Sequence, residues 1–526
     1  MKYGKGRKYM NQWGATGEKI TLTDMTTSGK LLRILLTEPL CPSGAIWGSV
    51  RAHRGHVPPM GLISVYTWLR HCGYDVDFLD TQFGDITELA FRQRLEERKY
   101  DVVGMSVFTP TADHVFATAR IVKEVLPSSR IVLGGVHATA VPEQTMRQCP
   151  ECDYIVLKEG EHTFEGLVEA LAGNSHEVSS VAGIVCRESG EIKINPPRNF
   201  IDSLDSLPIG FYSDIDLSAY VPHATQYIRL PNYPLMIGRG CPYKCSFCGA
   251  STILGKKVRY HSAERIIEEL KILKRENRAR GVFFQDSTFT LNRKLVMKLM
   301  DLMLREQLGV LWSCCTRADS VDAEMLAVMR RAGCRQIFLG IESGNQSSLD
   351  IIRKGTTVEE QTRGVELIRS AGIRYLTSFI ICLPGETEKM VRNTIEYAKS
   401  LRAPMAMFYL PVPYPGTELY RSCQEDGGLR PDANWSDYLA IDFDNPVYVN
   451  PNFGVNGMKF WYKRAWIDYY KSHQVWIANI RAIRSCDDLS RLVRGGRALG
   501  AMFAHGITDF MRQKMFRFGN DSCHHK

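Results

Sequence analysis

Arg239-Gly240-Cys241-Pro242-Tyr243-Lys244-Cys245-Ser246-Phe247-Cys248 is the stretch on which the reading of this chain turns. Three cysteines spaced C-x3-C-x2-C share one short loop, directly after the apolar run Leu235–Gly238, which reads as a strand. Thiolates at that spacing suit three corners of a [4Fe–4S] cube and leave the fourth iron open. Zinc is the competing reading. Structural zinc takes four protein ligands, however, and no fourth Cys or His lies close in the sequence.

Downstream, short apolar runs at Gly281–Gln285, Val310–Cys314, Gln336–Gly340, Leu376–Cys382 and Ala406–Val412 alternate with helical patterns such as Ala263–Arg275 and Ala323–Ala332. With the strand before the cysteines this makes six βα units across 226–425, a partial (β/α)6 barrel. Barrel sites sit at strand C-terminal ends, where Asp286, Arg317 and Glu342 fall. Upstream, over 30–175, runs at Leu31–Leu36, Val76–Leu79, Val102–Val107, Ile131–Leu133 and Tyr154–Val156 alternate with helices such as Met60–His71 and Ala112–Val125. That is the pattern of a doubly wound, flavodoxin-like (Rossmann-type) parallel sheet, whose ligand edge is the loops after its strands. Those loops are rich in small residues: Ser106–Thr111, Gly134–Thr139 and Glu159-Gly160-Glu161. Residues 1–29 read as a flexible extension, 176–225 as a connector with a hairpin at Ser189-Gly190, and 426–526 as a helical C-terminal region.

The net charge of +9 over 526 residues, with 44% hydrophobic and 23% charged residues, describes an ordinary globular chain. The charge suits an anionic substrate, a membrane surface or an acidic electron donor, and is too dispersed to argue for nucleic acid. The basic start (Lys2, Lys5, Arg7, Lys8) is followed by no apolar stretch, and no run of about 18 apolar residues occurs. A cytoplasmic protein with neither signal peptide nor transmembrane helix is expected. Fifteen cysteines, an odd number, argue for metal ligands and core thiols over a disulfide framework.

Taken together, these motifs resemble the cobalamin-binding radical S-adenosylmethionine (SAM) family over about residues 30–425. The cysteine loop is similar to that family's signature. Phe284-Gln285-Asp286-Ser287-Thr288 resembles its second-strand segment, Trp312 with Thr316-Arg317-Ala318-Asp319 the end of strand three, and Gly340-Ile341-Glu342-Ser343-Gly344 its strand-four motif. Leu383-Pro384-Gly385-Glu386-Thr387 resembles strand five, and Pro413-Tyr414-Pro415-Gly416-Thr417 the segment after strand six. The resemblance implies that Cys241, Cys245 and Cys248 hold the cluster, and that Phe247, Asp286, Ser287, Arg317, Glu342, Ser343 and Pro384 bind SAM. The sequence departs from the family at Cys382, where glycine is common; a small buried side chain is the plain reading.

For cobalamin, the resemblance implies contacts from Ser106, Thr109, Thr111, Gly134, Gly135, His137, Thr139, Glu159, Gly160 and Glu161. No G-x-G-x-x-G follows the first strand, which disfavours a dinucleotide. The D-x-H-x-x-G loop of histidine-ligated cobalamin proteins is also absent, and Thr37-Glu38-Pro39-Leu40-Cys41-Pro42 stands there instead. A base-off cobalt without a histidine ligand is therefore implied, with His53 and His56 as the loop histidines to watch.

Three pocket candidates are Cys314 and Cys315, at the end of the third barrel strand, and Tyr414, after the sixth. Barrel packing is the alternative for the two thiols. Cys149-Pro150-Glu151-Cys152 has redox spacing but no partner pair. The C-terminal region interleaves basic and large apolar residues: Phe460–Trp466, then Arg491, Arg494, Arg497, Arg512, Lys514 and Arg517. That pattern suits an anionic membrane surface or a helical cap with a solvated face. Cys523-His524-His525 reads as a frayed end.

The family resemblance implies methyl transfer to an unactivated carbon by way of a 5′-deoxyadenosyl radical and methylcobalamin. A radical oxidoreductase or cyclase acting on a tetrapyrrole or lipid ring is the alternative, and a non-catalytic cobalamin sensor or carrier is another. The implied partners are a small-molecule substrate (lipid, tetrapyrrole, phosphonate or natural-product intermediate) and a flavodoxin- or ferredoxin-type electron donor. No nucleic acid is expected.

Overall fold

A computed structural model of the chain describes residues 31–42, 55–82, 86–173, 177–210, 214–223, 225–440 and 444–483. The extension 1–29, His53, and the basic, apolar and Cys523-His524-His525 stretches beyond 483 lie outside the described residues.

The first sheet has seven strands in the order β2-β1-β3-β4-β5-β6-β7. They are β1 (Arg33–Thr37), β2 (Asp75–Leu79), β3 (Val102–Ser106), β4 (Arg130–Gly134), β5 (Tyr154–Val156), β6 (Ile184–Glu188) and β7 (Glu191–Ile194). The run from β2 to β5 is parallel; β6 and β7 add on antiparallel. Alternate residues feed opposite faces: Ile34, Leu36, Val102 and Val132 join one core, while Leu35, Val103, Ile131 and Leu133 join the other. Burial on both faces is why these strands read as continuous apolar runs. The hairpin at Ser189-Gly190 lies within the expected connector but extends this sheet. Both turn residues have positive φ (51° and 87°), the geometry of a tight two-residue hairpin turn.

The second sheet has six parallel strands in the order β15-β14-β13-β12-β11-β8. They are β8 (Asn232–Leu235), β11 (Gly281–Phe284), β12 (Leu311–Thr316), β13 (Cys334–Glu342), β14 (Arg374–Ile380) and β15 (Met405–Tyr409). The expected strand Leu235–Gly238 is split. Asp286 accepts hydrogen bonds from the N–H groups of Ile237 (3.1 Å) and Gly238 (2.8 Å), which ends the ladder at Leu235. The chain then forms β9 (Gly238–Arg239), paired antiparallel with β10 (Arg259–Tyr260) beside the cysteine loop.

Beyond 426 the structure departs from the expected run of helices. The described residues of 429–440 and 444–453 are irregular apart from a short 3-10 turn at Trp435–Asp437, because Tyr448, Asn450 and Trp435 are tied down side chain by side chain. The helix Gly454–Tyr470 packs Trp461, Tyr462, Trp466 and Tyr469 inward, and Tyr469 donates to Ala403 O (2.6 Å). The aromatic half of Phe460–Trp466 is therefore mostly cap and not free surface. No helix among the described residues is long and apolar enough to cross a membrane.

Candidate active site

Backbone hydrogen bonds fix the cysteine loop. Cys241 N–H donates to Gly255 O (3.0 Å), Ser246 N–H to Ile352 O (2.9 Å), Cys248 N–H to Cys245 O (3.1 Å) and Leu419 N–H to Ser246 O (2.8 Å). Gly240 turns the chain into the loop at φ 116°, where a Cβ would sit 2.4 Å from Lys257 O, so only glycine fits. Cys241 and Cys245 are half-buried and Cys248 is exposed. Burial pushes all three thiols up; Lys354 opposes this at each of them, and Arg317 at Cys241 and Cys245. Among the described residues, no three Cys, His, Asp or Glu side chains gather as the ligands of one ion do. A cube differs from a single zinc ion in that each thiolate takes its own iron.

Above the loop, Glu342 ends β13 with φ 69°, beside a register shift between Gly340 and Glu342. Its Oε1 lies 2.8 Å from Lys354 Nζ, and both side chains are buried. Arg317 stacks its guanidinium 3.9 Å over the Tyr243 ring. It also donates to Asp319 (2.9 and 2.6 Å) and to Lys354 O (2.7 Å).

A cavity of about 970 Å³ opens between the two sheets. Its walls are mainly apolar. One side is the C-terminal edge of the first sheet, with Ser106, Thr109, Gly134 and Gly160; the other is the face of the barrel, with Met236, Gly238, Gly249, Ala250 and Tyr414. At 300–1,000 Å³ for ordinary ligand sites, this is room for a large cofactor. The seam beside it is charged. Arg239, two residues before Cys241, donates to Glu159 (3.1 Å), Glu161 (2.7 Å) and Ser64 (3.0 Å). Arg259 donates to Glu159 (2.8 Å) and to Ile201 O (2.7 Å). Against its burial, the Arg239 guanidinium holds the Glu161 carboxyl below the usual range.

Two family descriptions match these two halves: "B12 binding domain" over 48–168 and "Radical SAM superfamily" over 235–398. An uncharacterized methyltransferase of Pyrococcus horikoshii is 33% identical over 451 residues, covering 86% of this chain and 95% of that protein. The chain belongs to the cobalamin-binding radical SAM family. Also similar is the anaerobic magnesium-protoporphyrin IX monomethyl ester cyclase of Rubrivivax gelatinosus, 29% identical over 397 residues, covering 74% and 70% of the two chains. The radical SAM methyltransferase TsrM of Kitasatospora setae, solved with cobalamin and a [4Fe–4S] cluster, shares the fold. Its TM-score is 0.66 at 16% identity, over 90% of this chain and 100% of that one.

This cobalamin-binding radical SAM protein is an enzyme whose cofactors are a [4Fe–4S] cluster, SAM and cobalamin. Its residues fit those groups: three thiols on one rigid loop beside a buried cation, and a large cavity floored by small residues. Gly135 shows how tight that floor is. At φ 90°, a Cβ there would meet Ser106 Oγ at 2.8 Å.

The family's expected residues are not all free to bind. Of the cobalamin candidates, Ser106, Thr109, Thr111, Gly134, Gly135, Glu159, Gly160 and Glu161 line the cavity. Glu159 and Glu161, however, are engaged by Arg239 and Arg259. His137 and Thr139 are not on the wall. Thr139 Oγ1 accepts from Lys158 N–H (3.0 Å). His137 is fully buried, with Nδ1 3.3 Å from Thr109 Oγ1, its ring 4.6 Å from Trp435 and Nε2 unpartnered. Burial pushes its pKa down to about 4.

On the SAM side, Asp286 holds the root of the cysteine loop. Ser287 lines a small recess with Cys241 and Tyr260. Ser343 turns away to Thr394 (3.1 Å), Phe247 packs near Leu349 and Leu383, and Pro384 is half-buried. Cys314 is buried in the helix-side core with Trp312. Cys315, one residue on, faces the barrel interior by strand alternation, its thiol pushed up to about 12 by burial and Asp286. Cys382 is fully buried at φ 62°, backbone that a glycine would adopt without strain. Cys149 and Cys152 are buried core thiols. Sequence reasoning missed Lys354, Arg239 as a bridge, and Arg259. Their only sequence signal is a charged residue flanked by glycine or β-like residues at a loop root.

Proposed function

We propose that the protein transfers a methyl group to an unactivated carbon of a small molecule, with Cys241, Cys245 and Cys248 as the cluster ligands. One observation carries this reading: a single cavity runs from the loops after β3–β5 to Gly238, Arg239, Gly249 and Ala250, the residues that flank the cysteine loop on both sides. When bound, the cluster, SAM and cobalamin supply a carbon-centred radical and a transferable methyl group. The protein's part is to bind, orient and keep the space dry. Lys354 and Glu342 present a buried charge pair beside the thiols for the zwitterionic end of SAM, and Phe247 offers a flat apolar face. Arg317, clamped by Asp319 and backbone carbonyls, acts as a fixed positive charge that steadies Tyr243 and the loop.

The Pyrococcus relative, named as a methyltransferase, supports this reading; the Rubrivivax relative, named as a cyclase, favours ring formation as the second reading. Product mass separates them: methylation adds one CH2 per turnover and cyclisation adds none. Release of 5′-deoxyadenosine on reduction with SAM separates either from a non-catalytic carrier. A flavodoxin- or ferredoxin-type protein is proposed as electron donor, and the cytoplasm as the place of action. The cobalt is proposed to be base-off. Of the two loop histidines, His56 lines the cavity and supplies its backbone N–H to Val221 O (2.9 Å).

A further inference from the structure

The loops after β1 and β2 place two carboxyl groups on the cavity wall, Glu38 and Asp80, outside the set of residues assigned above to cobalamin. The two strands are adjacent in the sheet, which brings the groups together. Asp80 is satisfied: it accepts from Tyr220 Oη (2.9 Å) and from Gln82 N–H (2.9 Å), and His56 lies on its side of the wall. Glu38 is not. It is 6% exposed, and its Oε1 is buried with no hydrogen-bond partner. Its backbone is pinned, its N–H donating to Leu79 O (3.2 Å) and its carbonyl accepting from Thr37 Oγ1 (2.9 Å), which fixes the position of its Cα at the end of β1. Burial, and then Asp80, push its carboxyl up to about 8, so it stands protonated at neutral pH.

A buried carboxylic acid on a cavity wall, with an oxygen unpartnered, is an incomplete hydrogen-bonding unit. It offers one donor and one acceptor side by side. The group that complements both is a neutral carboxamide. A carboxylate would meet Asp80 as a like charge, and an aliphatic wall would leave the acid unmet. Cobalamin carries neutral carboxamides around its ring. We propose that Glu38 grips one of these peripheral carboxamides, donating to its oxygen and accepting from its N–H. This rests on the reading that the cavity holds cobalamin, and adds a specificity contact on the β1–β2 side of the wall.

The test is corrin binding by the full-length, cluster-loaded protein, followed by visible absorbance with hydroxocobalamin and with its isomeric monocarboxylates. The wild type is expected to bind hydroxocobalamin and to lose about tenfold in affinity for one monocarboxylate isomer, the one lacking the gripped amide. E38Q keeps a donor and an acceptor, so it should hold hydroxocobalamin within about threefold and keep the same isomer's penalty, since Asp80 still opposes the carboxylate. E38L should lose about tenfold for hydroxocobalamin while its cluster absorbance is unchanged. Equal binding of all isomers by the wild type, or undiminished hydroxocobalamin binding by E38L, overturns the inference while leaving the cobalamin reading intact. A wild type that takes up no corrin overturns that reading and the inference with it.

Discussion

Arg239 Nη2 lies 2.7 Å from Glu161 Oε1, and this contact joins the strand that leads into the cysteine loop to the loop that closes the cobalamin side of the cavity. Glu161 is almost fully buried, and Ser64 also donates to its Oε1 (2.5 Å). Removing one partner of such a pair strands the other charge, at a typical cost of about 3–5 kcal/mol. R239M is therefore expected to lower unfolding free energy by about 3 kcal/mol or more in denaturant titrations. The double variant R239M/E161Q should cost clearly less than the sum of the singles. Additive losses would mean that the two residues act separately.

Glu342 and Lys354 form a buried ion pair, and Lys354 acts electrostatically on all three thiols. If they meet the charged end of SAM, E342Q should leave the cluster absorbance unchanged and weaken SAM binding about tenfold, the worth of one charge-assisted hydrogen bond. Equilibrium binding of SAM to the reconstituted protein reads this directly. Unaltered affinity would reduce the pair to a strut of the barrel rim.

Cys382 occupies left-handed backbone without needing its side chain for any hydrogen bond described. C382G removes backbone strain of roughly 1 kcal/mol and a small buried group of similar worth. Its melting temperature and turnover should stay close to wild type. C382V, β-branched at positive φ in a filled core, should melt well below it.

Glu386 is buried, accepts from Ser348 Oγ (2.6 Å) and Leu383 N–H (3.0 Å), and has its carboxyl raised by burial from 4.5 to about 7. A raised folded-state pKa means that the protonated acid is favoured in the fold. The stability it contributes is complete below about pH 4.5 and is lost as pH rises through about 7, on the order of 3 kcal/mol. E386Q stays neutral throughout. Its melting temperature relative to wild type should therefore climb between pH 5 and pH 8. A constant difference would show that Glu386 titrates as it does when unfolded.

The strands were legible because parallel strands buried on both faces leave unbroken apolar runs: Tyr154–Val156 falls where the sequence places it, as do the helices Met60–His71 and Ala112–Val125. Where a side chain breaks a ladder, the pattern misleads. Leu235–Gly238 is one apolar run but two structural pieces, because Asp286 captures two backbone N–H groups between them. The same limit governs the site. The cysteines announce themselves by spacing, whereas Glu342 meets Lys354 only because the chain returns past the short helix Gln346–Ile351, and Arg239 meets Glu161 only once two domains dock. Composition also cannot say which polar residues are already engaged. Glu159 and Glu161 sit in the expected loop but are held by arginines, and His137 packs behind the wall. After residue 426, aromatic and basic residues suggest helix, and individual hydrogen bonds from Asn450 and Trp435 instead hold an irregular strap.

The central claim is that Cys241, Cys245 and Cys248 together hold one cube within reach of the cavity. The direct measurement is iron and sulfide content, with cubane absorbance, of anaerobically reconstituted wild type and of C241A, C245A and C248A. The account predicts a [4Fe–4S] complement in the wild type and its loss in each variant. A wild type without a cube, or a single variant that keeps the full complement, would contradict it.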